Sequence, residues 1–491
     1  MGGNVQSLVA EADIRERFRP LFQPRTYAIV GASTSKVTLG NEMIHHLRSM
    51  DYDGVVYPIH PKADEVEGLK AYPSLGETPE PVDFAYIVVA APQVPETIAA
   101  AGGRVKYALV VSSGFGERAE SRGLQEHLLR SAREAGVRVI GPNCLGTYCP
   151  SGRVTFIAGS ARDPGPVGVI SQSGGLGVDI IRRGSIRGIR FSRLVTVGNS
   201  TDLGANDILE FYAADPATRV IGIYAEGIDD GRRFFEILRN LDGEKPVVLM
   251  KGGMTEQGKR AAASHTGALA SDERVWLALA EQTGLVLVDT LEEFLDALLA
   301  FQFLRPRADH PTRDVVMFGN GGGASVLATD FFARAGLEVP KFGDETTRFL
   351  EGMNFPPGTS IDNPIDAPGG TLRVEDGRIA GRIVDAVYAS DEPDAFVMHI
   401  NVPVFTLSYD QEADYTAHMV ESSLEAQTRA SARTHFLLVL RSDGSLEVEE
   451  RKATDRQNVQ ALGVPVFDEL PNAAGALAAM RHYERFLQKR L

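Results

Sequence analysis

Short, continuous apolar runs alternate with longer helical stretches along most of this chain, and this alternation constrains the fold more than any other feature. The first series of runs lies at residues 27–30, 54–57, 84–89, 107–111 and 137–140. Strands that are apolar on both faces are typical of a parallel sheet with helices on either side. The sequence therefore predicts an α/β fold built from doubly wound parallel sheets.

The apolar runs fall into three series, which predict three domains. The second series lies at 167–170, 191–197, 220–224, 247–250 and 285–288, and the third at 315–318, 395–400, 434–440 and 464–467. A chain of 491 residues is long enough for about three domains. We predict a helical extension over 1–22 and doubly wound domains over 23–150, 160–304 and 312–491.

Composition excludes several classes of function. The net charge of −15 argues against a nucleic-acid binder, which would carry basic stripes. No apolar run is long enough to cross a membrane, and the N-terminal residues lack the features of a signal peptide. Cys144 and Cys149, without a second Cys/His pair at ligand spacing, predict neither a disulfide framework nor a metal site. We expect a cytoplasmic protein that binds no nucleic acid and no membrane.

His265 is the residue that points most directly to chemistry. It follows the strand predicted at 247–250, within a polar segment that we expect to be a mobile basic loop, and residues 268–285 predict the next helix. An unperturbed imidazole is largely neutral near pH 7, so it can attack a phosphoryl group without a metal. The segment 253–260 resembles a P-loop, but Arg260 replaces the hydroxyl that would bind Mg²⁺.

Two other segments could act with His265. Glu226 ends the second-series strand at 220–224, where its carboxylate could accept a ring N–H of His265 and fix its tautomer, although strand-end glutamates are usually solvated. The second segment follows the strand at 167–170 and opens a helix, which combines hydroxyls, glycine amides and a helix N-terminus into an anion cradle. A capped helix start without a ligand is the alternative. The candidate phosphate-binding residues are Ser171, Gln172, Ser173, Gly174 and Gly175.

The loops after the first-domain strands predict a nucleotide site. Gly31 follows the first strand, where a glycine lets backbone amides approach a phosphate, but the G-x-G-x-x-G spacing is absent. Lys62 follows the second strand in place of the acid that binds the ribose of NAD. Coenzyme A, with its extra phosphate, therefore fits better than NAD, and a tight turn without a ligand is the alternative. The candidate coenzyme contacts are Gly31, Ser33, Lys36, Lys62, Ser113 and Asn143.

Taken in order, these motifs resemble those of the nucleoside-diphosphate-forming acyl-CoA synthetases, the superfamily of succinyl-CoA synthetase and ADP-forming acetate–CoA ligase. The likeness runs from about Tyr27 to the C-terminus, and in the third domain residues 362–366 are similar to the N-P-x-D signature of the family. The other matching segments are 29–33, 57–62, 141–146, 171–174, 197–199 and 264–267.

The resemblance implies a Rossmann-like CoA-binding domain followed by two flavodoxin-like ligase domains. It also implies that His265 is the phosphohistidine, that Glu226 steadies it, and that Ser171 and Ser173 help to hold the phosphate. The implied reaction is acid + ATP + CoA ⇌ acyl-CoA + ADP + phosphate, which passes through an acyl phosphate. The substrate would be a small carboxylic acid or its acyl-CoA.

One part of the family pattern is missing from the sequence. The family needs an ATP-grasp module, and we find no Gly-rich hairpin with a following Lys and an acidic metal cluster. The resemblance therefore implies an α subunit of a hetero-oligomer, with ATP or ADP and Mg²⁺ bound by a separate ATP-grasp β subunit. A CoA-binding regulatory or scaffold protein of the same fold is the main alternative, and an NAD-dependent oxidoreductase is a weaker one. Acyl pockets are formed by scattered packing residues, so the sequence alone names no acid.

Overall fold

The computed structural model describes residues 2–117, 119–266, 272–406 and 414–491, with side chains described at 11–117, 120–262, 272–405 and 414–491. The chain divides into two compact units, unit 1 (Met1–Leu291) and unit 2 (Glu292–Leu491). Within the described ranges, none of the helices combines the length and the apolar character that crossing a membrane requires.

The first part of unit 1 contains one parallel sheet and a short hairpin. Its strands are β1 (Thr26–Val30), β2 (Val55–Ile59), β3 (Glu65–Val66), β4 (Leu69–Lys70), β5 (Val82–Ile87), β6 (Val105–Val110) and β7 (Arg138–Ile140). Five of them form a sheet in the order β2–β1–β5–β6–β7, and β3 pairs with β4 antiparallel. The helices are α1 (Gly2–Phe22), α2 (Leu39–Ser49), α3 (Val94–Ala99) and α4 (Arg122–Glu134).

The second part of unit 1 contains a second sheet, and Glu226 directly follows one of its strands. Its strands are β8 (Thr147–Tyr148), β9 (Val167–Ser171), β10 (Phe191–Thr196), β11 (Val220–Ala225), β12 (Val247–Lys251) and β13 (Val286–Val288). Their order is β13–β12–β11–β9–β10–β8, and only β8 among these strands runs antiparallel to its neighbour. The helices are α5 (Gly174–Ile186), α6 (Ala205–Ala214), α7 (Gly231–Asn240), α8 (Glu256–Thr266) and α9 (Glu273–Thr283).

Unit 2 contains a third parallel sheet. Its helices are α10 (Leu291–Phe303, whose first residue is assigned to unit 1), α11 (Gly322–Arg334), α12 (Asp344–Gly352), α13 (Gly369–Leu372), α14 (Ile379–Tyr388), α15 (Pro403–Thr406), α16 (Tyr415–Arg429), α17 (Leu446–Ala461) and α18 (Leu470–Gln488). Its strands are β14 (Val315–Gly319), β15 (Ile365–Asp366), β16 (Ala395–Asn401), β17 (His435–Arg441) and β18 (Val466–Phe467), in the order β15–β14–β16–β17–β18.

The predicted α/β fold of doubly wound parallel sheets is confirmed, and each apolar run of the three series contains a strand. Among the parallel strands of each sheet, the first lies between the second and the third, as in flavodoxin-like folds. The strands that the sequence missed are the two-residue strands β3, β4, β8 and β15, which are too short to give an apolar run. The domain boundaries stay predictions.

The expectation of a loop around His265 is wrong, because α8 carries the backbone of residues 256–266 in a helix. Helix-forming alanines at 261–263 favour this conformation. The helix begins after Thr255, whose hydroxyl accepts a hydrogen bond from the backbone N–H of Gly258 at 3.1 Å. Within the range 268–285 that is predicted as a helix, the structure shows α9, whose C-terminal end is capped by Gly284 at a positive φ of 72°. Residues 267–271 lie outside the described residues.

The C-terminal half of α1 is a core element of unit 1. Phe18, Leu21 and Phe22 are all buried, and they belong to one apolar cluster that contains residues of both sheets. The ring of Phe22 stacks on Phe211 of α6 at 4.6 Å between centroids, and Phe18 stacks on Tyr107 of β6 at 6.1 Å. α1 therefore joins the two sheets of unit 1 through a continuous core.

We expect Phe22→Ala to lower the free energy of unfolding of unit 1 by about 3–5 kcal/mol, because a buried aromatic ring is replaced by a cavity. Native-state amide hydrogen exchange of β6 and β10 would measure this loss in both sheets. Ile186→Ala, at an exposed position in the same unit, is the control and should change protection little. A loss below about 1 kcal/mol for Phe22→Ala would contradict the assignment of α1 to the core.

Candidate functional site

The candidate site lies at the carboxyl edge of the second sheet. β9 pairs with β11 and β11 with β12, so their last residues align, with Ser171 opposite Tyr224 and Ala225 opposite Lys251. The chain leaves β9 towards β10 on one side and returns to β11 on the other, which opens a crevice at this edge. Ligands of open α/β sheets bind in such crevices.

The hydroxyl groups of the predicted anion cradle form the turn that opens α5. Ser171 is fully buried, and its hydroxyl donates a hydrogen bond to the backbone carbonyl of Ser173 at 2.6 Å. Ser173 is the N-cap residue of α5, and its hydroxyl accepts the backbone N–H of Leu176 at 3.3 Å. Beside Gly175 there is open space where a Cβ would lie. The turn thus presents a capped helix N-terminus with an unobstructed glycine.

Gln172 connects the ends of β9 and β11. Its side-chain Oε1 accepts the backbone N–H of Glu226 at 2.6 Å and that of Gly227 at 3.2 Å. Its own backbone N–H donates to the carbonyl of Tyr224 at 2.9 Å. The side chain of Gln172, predicted as a phosphate contact, therefore positions the backbone that carries Glu226.

Glu226 is buried, with 7% of its surface exposed, rather than solvated like most strand-end glutamates. The hydroxyl of Tyr224 donates to Glu226 Oε1 at 3.0 Å, and Lys251 Nζ donates to the Glu226 backbone carbonyl at 2.8 Å. Burial raises the pKa of Tyr224, and the neighbouring Glu226 carboxylate raises it further, so the hydroxyl stays protonated and remains a donor. Burial lowers the pKa of Lys251, while Glu226 opposes that shift.

The sequence reasoning missed Tyr224 and Lys251. Tyr224 lies two residues before Glu226, and alternate residues share one face of a strand, so the spacing could have indicated it. Lys251 ends the neighbouring strand β12, and only the strand order places it beside β11.

His265 was predicted to act with this group. Its backbone lies in α8, which follows β12 at the same edge of the sheet, but its side chain lies outside the described residues. The turn between β12 and α8 passes through Gly253, at a φ of 77°. The structure brings residues 171–175 and Glu226 together, and the role of His265 stays a prediction.

A cavity of about 750 Å³ lies at the carboxyl ends of β1, β2 and β5 in the first sheet. Gly31 lines it at a φ of 105°, and a Cβ on this residue would lie only 2.1 Å from the carbonyl oxygen of Val88. Only glycine fits this turn, and a backbone without a side chain lets a phosphate approach the amides that follow. The volume and the glycine turn fit a nucleotide-sized ligand such as coenzyme A. The other lining residues include Ala32, His60, Ser74, Gln93 and Thr97.

Of the predicted coenzyme contacts, Gly31 lines this cavity, whereas Ser33, Lys36, Lys62, Ser113 and Asn143 are not among the residues that line it. Lys36, Lys62 and Ser113 are exposed on loops. The backbone N–H of Ser33 donates to Asn41 Oδ1 at 2.9 Å, and the side chain of Asn143 donates to Asn199 Oδ1 at 3.3 Å. The lining residues His60, Ser74, Gln93 and Thr97 were missed, and only His60 lay within a segment that the sequence had singled out.

The corresponding edge of the third sheet is built around Asp366 and His399. Asp366 Oδ1 accepts the backbone N–H of Gly321 at 2.7 Å, just before α11. His399 is fully buried on β16, with Nε2 3.2 Å from the hydroxyl of Ser325. Burial lowers the pKa of His399 to about 3, with a further contribution from the Arg441 cation. Asp366, in the segment similar to N-P-x-D, thus fixes the strand-to-helix turn.

No group of three or more His, Cys, Asp or Glu side chains within the described part of the chain has the arrangement of a metal site.

Two family models match the chain. The model described as a CoA binding domain matches residues 25–150, and the model described as a succinyl-CoA ligase like flavodoxin domain matches residues 164–301. Together they cover the first two sheets.

Curated relatives and solved structures match most of the chain. It is 34% identical over 478 residues to the ADP-forming acetate–CoA ligase I subunit alpha of Pyrococcus furiosus, covering 96% of this chain and 98% of the relative. It is 35% identical over 354 residues to the ADP-forming acetate–CoA ligase I of Archaeoglobus fulgidus, covering 71% of this chain and 50% of that protein. The structure of the Candidatus Korarchaeum cryptofilum dinucleotide-forming acetyl-coenzyme A synthetase 1, in complex with phosphate and ADP, is similar with a TM-score of 0.79 and 31% identity, covering 96% of this chain and 99% of that chain.

The buried imidazole of His399 makes the stability of unit 2 depend on pH. Its pKa in the folded unit is about 3, below the ordinary value of 6.5, so the folded state holds this proton less tightly than the unfolded state. The free energy of unfolding of unit 2 therefore has its full value above about pH 6.5 as far as His399 is concerned. We expect it to decrease as the pH falls from there towards 3, because the unfolded state then binds a proton that the folded state does not. Denaturant unfolding of unit 2 between pH 7 and pH 5, above the range where most carboxylates titrate, would measure this loss.

His399→Gln should flatten that pH dependence, because a glutamine carries no charge at any pH. His418→Gln, on a half-buried histidine of α16 in the same unit, is the control and should leave the slope near that of the wild type. An equally steep loss of stability in His399→Gln would exclude His399 as its origin.

Proposed function

The chain belongs to the family of nucleoside-diphosphate-forming acyl-CoA synthetases, and we propose that it is the α subunit of an ADP-forming acyl-CoA synthetase. The proposed reaction is acid + ATP + CoA ⇌ acyl-CoA + ADP + phosphate, working through an acyl phosphate and a phosphohistidine at His265. The observation that carries the proposal is the buried carboxylate of Glu226, held by Tyr224 beside the helix start at residues 171–175.

The phosphoryl group moves between two good leaving groups in this scheme. In the direction from acyl phosphate, a ring nitrogen of His265 attacks phosphorus, the P–N bond forms, the P–O bond to the acyl group breaks, and the carboxylate leaves. Each such step is an in-line displacement that needs positioning and charge stabilisation more than covalent help from the protein. The N-terminus of α5 would supply that stabilisation through its backbone amides, with Gly175 leaving room for the oxygens.

Glu226 would accept the N–H of the ring nitrogen that does not carry phosphorus. An acid in this role fixes the tautomer of the imidazole and stabilises the positive charge that phosphorylation leaves on the ring. The low exposure of Glu226 strengthens that interaction, because charges interact more strongly away from bulk water. Tyr224 and Gln172 would act as positioning residues, which hold the carboxylate and its backbone in place.

The cavity at the first sheet would hold coenzyme A. When bound, coenzyme A supplies the thiol that displaces phosphate from the acyl phosphate. Gly31 would leave the backbone open to a phosphate of the coenzyme, and the exposed cation of Lys62 would attract the 3′-phosphate.

ATP or ADP and Mg²⁺ would be bound by a separate ATP-grasp β subunit in a hetero-oligomer. The name of the Pyrococcus relative, a subunit alpha matched over 98% of its length, supports this division. The Archaeoglobus relative, of which this chain covers only half, is named as a ligase without a subunit designation. A regulatory or scaffold role without turnover is the alternative, but it would give no reason to bury Glu226 beside a helix N-terminus.

The chain, mixed with an acyl-CoA and labelled inorganic phosphate, should form an acid-labile, base-stable phosphohistidine. We expect His265→Asn to abolish the label, and Glu226→Gln to reduce the initial labelling rate by about 100-fold, the size of effect seen when one preorganised charge-stabilising group is lost. His127→Asn, on a helix of the first part of unit 1, is the matched control.

Undiminished labelling in His265→Asn would contradict the proposed phosphohistidine. If the wild-type chain binds CoA normally but stays unlabelled, even when an ATP-grasp partner is present, the scaffold alternative would be favoured.

Lys62→Ala should weaken the binding of coenzyme A by about 3–10-fold, because a charge-assisted contact with phosphate is lost. Its affinity for dephospho-CoA, which lacks the 3′-phosphate, should not change. Isothermal titration of both ligands would measure the two affinities, with Lys341→Ala in unit 2 as the control. An equal loss for both ligands would place Lys62 away from the 3′-phosphate.

A further inference from the structure

The ring of His60, one of the residues that line the cavity at the first sheet, is fixed by the backbone that follows it. Its Nδ1 accepts the backbone N–H of Ala63 at 2.9 Å and that of Lys62 at 3.2 Å. The backbone N–H of His60 itself donates to the carbonyl of Tyr72 at 2.9 Å. The residue is therefore held both at its backbone and at its ring, which limits the positions that the imidazole can take.

These contacts decide which nitrogen of the neutral ring carries the proton. A nitrogen that accepts hydrogen bonds from two N–H groups has no proton of its own, so the proton lies on Nε2. Within the described part of unit 1, Nε2 of His60 has no hydrogen-bond partner. It is accessible to solvent, since it is not one of the buried side-chain atoms that lack a partner. The neutral ring therefore offers one N–H donor and no acceptor to a ligand in the cavity.

The strand register places this donor beside the glycine turn. β1 and β2 are parallel neighbours with Val30 opposite Ile59, so Gly31 and His60 are the first residues after the two strands at the same edge. Both residues line the cavity. In doubly wound folds a phosphate of a bound nucleotide approaches the turn after the first strand, and the ribose lies at the end of the second. His60 therefore lies where a ribose and its substituents would bind.

The hydrogen-bonding capacity of His60 suits a phosphorylated ribose better than an unmodified one. The acid that NAD-binding folds place near this point accepts hydrogen bonds from ribose hydroxyls. The neutral imidazole of His60 does the reverse, because its acceptor nitrogen is occupied and only a donor remains. A phosphate group presents negatively charged acceptor oxygens, and hydrogen bonds to a charged acceptor are stronger than those to a neutral one.

The charges around His60 are compatible with an anion at the same point. The loop that His60 holds carries the exposed ammonium of Lys62. The acids next along the chain, Asp64 and Glu65, are exposed to solvent, which screens their charge. Glu96 is the acid among the cavity-lining residues in the described part of unit 1, and it lies on α3, after β5. Because β1 separates β5 from β2, this carboxylate and His60 belong to different walls of the cavity.

We infer that His60 is a coenzyme-binding residue with two roles: its Nδ1 positions the loop that carries Lys62, and its Nε2–H donates to the 3′-phosphate of coenzyme A. The inference rests on the proposed function, because it takes the cavity at the first sheet as the coenzyme site. His60 and Lys62 bind the same phosphate, one as a fixed neutral donor and the other as a cation. Together they select coenzyme A over nucleotides whose ribose lacks this phosphate.

Two variants separate the two roles of the ring. In His60→Asn the side-chain oxygen can still accept the N–H groups of Lys62 and Ala63, but the shorter amide takes the donor away from the phosphate. In His60→Phe both the acceptor and the donor are lost. Isothermal titration of the full chain with CoA and with dephospho-CoA measures the affinities.

We expect CoA to bind about 10-fold more weakly to His60→Asn than to the wild type, the value of one hydrogen bond to a charged group. CoA should bind more weakly still to His60→Phe, because the loop that carries Lys62 is then no longer held. The affinity of His60→Asn for dephospho-CoA should equal that of the wild type. His127→Asn, the same substitution on α4 of the first part of unit 1, is the control and should change neither affinity.

The tautomer of His60 gives an independent spectroscopic test. In the full chain labelled with ¹⁵N-histidine, the NMR shifts of the two ring nitrogens report which one carries the proton, and His60→Asn assigns the resonances. We expect the proton on Nε2 in the free chain. Saturating CoA should shift the Nε2 resonance, and dephospho-CoA should shift it much less. A residue that only maintains the fold would not distinguish the two ligands.

The outcomes separate this inference from the proposed function. Wild-type affinity for CoA in His60→Asn, an equal loss of affinity for both ligands, or a proton on Nδ1 in the free chain would each overturn the inference. Labelling of His265 from an acyl-CoA in the wild type would then still support the proposed function. A wild-type chain that binds neither ligand would overturn the coenzyme site and the inference with it. If His60→Phe folds poorly, His60→Asn and the NMR shifts decide.

Discussion

The pairing of β9 with β11 is the interaction on which the candidate site depends. Because these parallel strands are neighbours, the turn after β9 and the acid after β11 end at the same edge. Gln172 then fixes their relative position by accepting two backbone N–H groups from the end of β11. Glu226 can remain buried because Tyr224 satisfies its carboxylate, and Lys251 satisfies its backbone carbonyl.

The core around α1 gives this edge a rigid support. Phe18 and Phe22 pack against Tyr107 of the first sheet and Phe211 beside the second, so one apolar cluster supports both. The guanidinium of Arg193 lies 5.2 Å from the ring of Phe22, which adds a cation–π contact to the same cluster. The nucleotide-sized cavity and the Glu226 edge therefore belong to a single compact unit.

Two cavities of unit 1 differ in the chemistry of their lining residues. The larger one is built on a glycine turn that leaves backbone amides accessible, which suits phosphate groups. The smaller one, of about 160 Å³ at the edge of the second sheet, is lined by several aspartates and by Arg233, which Asp207 and Glu210 hold.

The sequence by itself determined the α/β class, the strands with long apolar runs, and the positions of Glu226 and residues 171–175 at the ends of strands, because local periodicity and composition encode these features. It misassigned the segment of His265, where helix-forming residues and a cap outweighed its polar character, and it missed the short strands β3, β4, β8 and β15. Only the tertiary structure decided that Lys251 donates to the Glu226 carbonyl and that Gln172 accepts the backbone N–H groups at the end of β11. Those contacts depend on strand order and on residues far apart in the chain, which no local pattern records.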